Sequence, residues 1–106
     1  MASLAIALGS AQRADAQTAA PARDVALAES YAERAFEAYA RREYATALEL
    51  YKQAYDAAPS ADALYNIARV YDLGLRDRPL AINHYRRYLS DPGALPERIG
   101  RASQRL

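Results

Sequence analysis

Apolar residues recur three and four positions apart along most of the chain, and each such stretch reads as one face of a helix. Between Val25 and Arg41 the stripe is Leu27, Tyr31, Ala35, Ala38 and Tyr39. From Tyr44 it is Ala47, Leu48, Tyr51, Ala54, Tyr55 and Ala58 together with Tyr44 itself. Pro59 stops that helix, because proline offers no N–H and disfavours helical geometry in the residue before it. Ser60 is placed to cap a third helix whose stripe is Leu64, Ile67, Ala68 and Tyr71. Gly74 is expected to take the left-handed turn that ends it. Asp77 and Pro79 then restart a helix, an acid at the cap and proline in the first turn. Ala81, Ile82, Tyr85, Tyr88 and Leu89 form its core face. After an Asp91-Pro92-Gly93 turn, Pro96 opens a last short helix carrying Ile99, Ala102 and Leu106.

The pattern repeats. Ala47-x-x-x-Tyr51 recurs as Ala81-x-x-x-Tyr85 at an offset of 34 residues, where Leu48 also finds Ile82 and Tyr31 finds Tyr65. Ala35 finds Ala68 at 33, so the second copy holds one extra residue between its helices. Each copy closes on a proline, Pro59 and Pro92. Leu64-x-x-Ile67-Ala68-x-x-Tyr71, then Ala81-x-x-x-Tyr85, then Pro92 resembles the tetratricopeptide repeat. The first copy departs from it at Arg34 and Ala38, where Leu and Tyr are usual. The resemblance implies an all-α fold: an α-α superhelix of two helical hairpins, about 28–60 and 61–93, and a capping helix at about 96–106. It covers roughly residues 28–93 and makes 25–106 the folded domain.

Residues 1–24 read as a leader. Leu4-Ala-Ile-Ala-Leu8 is a short apolar core, and Ala14-Asp15-Ala16 offers the small residues a signal peptidase favours, with cleavage before Gln17. No cation precedes the core, and a disordered Ala-rich tail is the alternative. Bacterial export predicts a periplasmic or secreted protein; a tail leaves it cytoplasmic.

Composition narrows the function. Only four Gly and abundant Ala, Leu, Glu and Arg suit helices. With no Cys there is no disulfide, thiolate zinc site or thiol chemistry. His84 is the sole histidine, the carboxylates are scattered along helices, and no Gly-rich loop opens a helix. The chain therefore reads as no enzyme, with no cofactor and no metal. Formal charge is +1, yet residues 17–68 carry five basic and eight acidic residues, whereas 69–106 carry eight and four. That asymmetry suits head-to-tail association, a homo-oligomer or self-assembling scaffold stacked end to end. An arginine face of Arg76, Arg78, Arg86, Arg87, Arg98, Arg101 and Arg105 for nucleic acid is the weaker reading, since helical spacing scatters these residues. No apolar run approaches the roughly 20 residues of a membrane span.

The leading expectation is a non-catalytic adaptor that binds a protein or peptide partner. The resemblance implies a concave surface lined by the first helix of each repeat, which maps onto Glu29, Ala32, Phe36, Tyr39, Tyr65, Asn66, Arg69 and Asp72. Phe36 stands out as a large apolar residue beside the core stripe and not on it. Asn66 lies where relatives that clamp a C-terminal carboxylate place an Asn. The accompanying Lys and Asn correspond to Ala32 and Phe36, which argues against such a clamp. The alternative to head-to-tail association is ordinary surface pairing, such as Glu33 and Glu37 with Arg34 and Arg41, which is worth little energetically.

Overall fold

In a computed structural model, which describes residues 23–106, five α-helices pack together and the described residues contain no strand. They are α1 (Val25–Ala40), α2 (Tyr44–Ala57), α3 (Ala61–Arg69), α4 (Arg78–Leu89) and α5 (Pro96–Gln104). A π-helical turn, Val70–Gly74, extends α3. Each helix packs on its successor, α1 on α2 and α3 on α4 most extensively.

Caps set the boundaries. Asp24 accepts a hydrogen bond from the Leu27 N–H (2.9 Å), Ser60 from Ala63 (3.1 Å) and Asp77 from Leu80 (3.2 Å). Each satisfies an N–H that the first helical turn leaves without a partner. Arg23 and Asp24, which the sequence reading leaves in the leader, are tied to the fold. The Arg23 guanidinium donates to the Pro59 carbonyl (3.1 Å) and the Asp24 N–H to that of Ala57 (2.9 Å). The expected leader is otherwise outside the described residues.

The core is built from alanine and tyrosine. Ala35, Ala38, Ala47, Ala68, Ala81 and Ala102 are fully buried and let helix backbones approach, while Tyr51, Tyr65, Tyr71, Tyr85 and Tyr88 fill the space between them. α3 is buried on nearly every side, through Ala61, Ala63, Leu64, Tyr65, Ile67 and Ala68. Such a helix must lie between neighbours, and α2, α4 and the α5 end surround it. The two outer helices are less covered than their stripes suggest. Leu27 on α1 is exposed, as are Ile99 and Leu106 at α5, where Ala102 alone is buried. Among the described residues each of these helices has a neighbour on one side only, so part of its apolar stripe stays exposed.

The extra residue of the second copy is absorbed by the π turn. After α1 the chain closes in a Schellman arrangement: Glu43 N–H donates to the Ala38 carbonyl and Arg42 N–H to that of Tyr39, both at 2.9 Å. After α3 the Leu75 N–H reaches back five residues to Val70 and the Asp77 N–H six to Tyr71, both at 2.8 Å. A π bulge widens a helical turn by one residue in this way. The left-handed positions are Arg42 (φ 63°) and Arg76 (φ 60°), themselves 34 residues apart. Gly74 is therefore not the left-handed residue expected. Its role is steric: a Cβ there would lie 2.6 Å from Cδ1 and 2.7 Å from Cγ of Tyr44.

Asp72, on the π turn, ties the C-terminal helix to the rest. Its side chain is 1% exposed, and the Arg105 fork donates to it from Nε to Oδ2 (2.7 Å) and from Nη2 to Oδ1 (2.9 Å). Arg78 Nη1 donates to Oδ1 (2.9 Å) and the Tyr85 hydroxyl to Oδ2 (3.1 Å). The Arg105 hydrogen bonds, then those of Arg78 and Tyr85, outweigh desolvation and hold the carboxyl down to about 2. Burial, then the Asp72 charge, raises the Tyr85 phenol, so it stays a donor. Arg78 also donates to the Arg105 main-chain carbonyl, which fastens the end of α5 to the start of α4.

Candidate functional site

α1 and α3 form the walls of an open groove of about 760 Å³. Helical periodicity turns Glu29, Ala32, Glu33, Phe36 and Glu37 of α1 toward it, with Tyr39 at its end. Asn66, Arg69 and Val70 come from the α3 side, Tyr51 of α2 lies beneath, and Arg98 of α5 closes one end. Tyr51 and Val70 are buried, so the floor is rigid packing and not a mobile surface. Burial also raises the Tyr51 phenol above its ordinary range, so it remains protonated at neutral pH.

Phe36 is the one exposed aromatic ring, at 67%, where the tyrosines are buried or half-buried. Beside it Tyr39 is held in place: its ring meets Tyr44 edge-on at 5.3 Å and lies beneath the Arg69 guanidinium at 5.7 Å. Arg98 is also fixed, 2.7 Å from an Asp62 carboxylate oxygen and 5.0 Å above the Tyr65 ring. The groove thus has a preset apolar and aromatic lining on one side and arginines already stacked on rings on the other.

Glu29, Glu33 and Glu37 follow one another at every fourth position of α1, about 6 Å apart along the axis. The surface pairing of Glu33 and Glu37 with Arg34 and Arg41 does not form. Arg34 lies over the Tyr31 ring at 5.6 Å, and the Arg41 guanidinium bonds Glu43 at 3.0 Å. Among the described residues no cationic nitrogen comes within 4.0 Å of these three carboxylates.

Of the residues mapped from the sequence, Glu29, Ala32, Phe36, Tyr39, Asn66 and Arg69 line this groove together. Tyr65 does not; it borders an adjoining cavity of about 400 Å³ with Arg69, Leu73, Tyr85, Arg98, Arg101, Gln104 and Arg105. Asp72 borders neither, since its carboxylate is inside the Arg78–Arg105–Tyr85 cluster. Glu33, Glu37, Tyr51, Val70 and Arg98 line the groove without having been singled out as binding residues. Glu33 and Glu37 were legible, being four and eight positions from Glu29; Arg98 was not, since only tertiary packing brings α5 there. Several of the arginines considered for nucleic acid are engaged internally: Arg78 and Arg105 on Asp72, Arg98 on Asp62, Arg87 over Tyr55. His84 stacks near Tyr71 at 5.2 Å with Nδ1 2.8 Å from the Leu80 carbonyl, and burial lowers its pKa. The described residues contain no group of three or more His, Asp or Glu placed to hold a metal ion. None of their helices is long and apolar enough to cross a membrane.

No protein-family model, curated protein or solved structure matches the chain.

Proposed function

We propose that the chain is a non-catalytic interaction module, two tetratricopeptide-type hairpins and a capping helix, that binds a peptide or protein segment in the groove between α1 and α3. The observation carrying this reading is Phe36. A phenyl ring left 67% exposed in a groove, in a chain that buries most of its other aromatic rings, is an apolar surface that the other described residues leave uncovered. Tyr39, Tyr51 and Asn66 add a polar tip or amide around it, the mixture by which a pocket fixes a ligand's orientation. The stacked Arg69 and the buried floor support the reading further, because a prearranged surface loses little entropy when occupied.

Selection from a displayed random-peptide library tests it, with the whole chain as bait. Peptides enriched on the native chain should bind the Phe36→Ala variant about tenfold more weakly, the value of covering most of one phenyl ring. Its melting temperature should be almost unchanged, because the ring makes little of the core. Failure to enrich any peptide, or enrichment indifferent to Phe36→Ala, would overturn the proposal.

A further inference from the structure

We infer that the occupant of the groove is a cationic peptide segment, extended, with Lys or Arg at alternate positions and an apolar side chain for Phe36. The inference rests on the groove being a peptide-binding surface and names what it selects. Phe36 makes the surface sticky; the charges around it choose between ligands.

Three carboxylates, Glu29, Glu33 and Glu37, stand along one wall with no ion-pair partner among the described residues. Arg41, near the end of that row, directs its guanidinium to Glu43, and Glu37 feels its charge only at longer range. Against them stand Arg69 and Arg98, and Arg98 is already neutralised by Asp62. Counting Asp62 with the lining side chains, four acids face two cations, so the groove is left net negative. The charge is also ordered. A spacing of about 6 Å between successive glutamates is close to the 6.5–7 Å between alternate side chains of an extended strand. A segment with cations at every second position can therefore meet all three in register. An acidic segment would meet the same three as like charges, which disfavours it strongly at short range.

Binding of three short labelled peptides to the whole chain by fluorescence anisotropy tests this. All share one leucine; they carry Lys, Ser or Glu at the alternating positions. The Lys peptide should bind at least about tenfold tighter than the Ser peptide at low salt. That advantage should disappear near 1 M salt, where the screening length is about 3 Å. The triple change Glu29→Gln, Glu33→Gln, Glu37→Gln should abolish it without lowering the thermal melt, whereas Phe36→Ala should weaken both peptides. Equal or tighter binding of the Glu peptide, or a triple variant that binds Lys peptide like the native chain, overturns the charge assignment. If Phe36→Ala still weakens binding in that case, the groove reading stands. Indifference of every peptide to Phe36→Ala overturns both. A dimer that sediments without peptide and is lost in Phe36→Ala would make a second copy the occupant, and would also overturn the inference.

Discussion

Replacing Asp72 by Asn removes one charge and changes almost no volume, yet it strikes the one carboxylate on which α4, α5 and the π turn converge. Asp72 accepts four hydrogen bonds, from both donors of the Arg105 fork, from Arg78 and from Tyr85. An amide has one acceptor oxygen, and its NH2 would face donors. The cost follows from the titration. Lowering the carboxyl from its ordinary 3.8 to about 2 corresponds to about 2.5 kcal/mol of preference for the charged form in the fold. The carboxylate is dry, but the arginines above it are nearly half exposed, so water screens part of this and about 2 kcal/mol is expected. For a domain of this size that lowers the melting temperature by roughly 10 °C. The pH dependence identifies the cause. Because the folded pKa is depressed, the stabilisation is full above the unfolded value near 3.8 and is lost as pH falls through about 2. Melts of native chain and Asp72→Asn, followed by circular dichroism, should differ at pH 7 and converge between pH 4 and pH 2. A difference at pH 7 below about 0.5 kcal/mol, or one that persists unchanged at pH 2, would refute the account.

Two further changes test the packing and the caps. Gly74→Ala should cost about 1–3 kcal/mol in urea unfolding, because its Cβ would fall 2.6 Å from the Tyr44 ring; removing that ring in the Tyr44→Leu background should relieve part of the cost. Ser60→Ala should cost about 1 kcal/mol, the loss of the Ala63 N–H partner, while Ser60→Asp should restore it, read from the same denaturation curves.

Much of the helical organisation was written locally. Ser60, Asp77, Pro59 and Pro96 mark helix ends through properties of the residue itself, a side-chain acceptor or a missing N–H, so their positions needed no tertiary knowledge. The 34-residue offset likewise reappears in the backbone, at the paired left-handed residues Arg42 and Arg76. Six of the eight residues that the resemblance mapped to a binding surface line one groove; helical periodicity puts Glu29, Ala32 and Phe36 on a common face, and packing brings Asn66 and Arg69 to it.

What lies between elements was decided only by their assembly. Sequence pattern marks Leu27, Ile99 and Leu106 as apolar but not that the other described residues leave them exposed. It shows one extra residue in the second copy without showing that a π turn takes it up, or that Gly74 serves the ring of a tyrosine thirty residues earlier. The resemblance maps Asp72 to the binding surface; Arg105, 33 residues away, makes it an internal acid. Local structure depends on each residue and its near neighbours, which the chain states in order. Burial, pairing and groove shape depend on contacts between distant residues, and those exist only once the helices have packed.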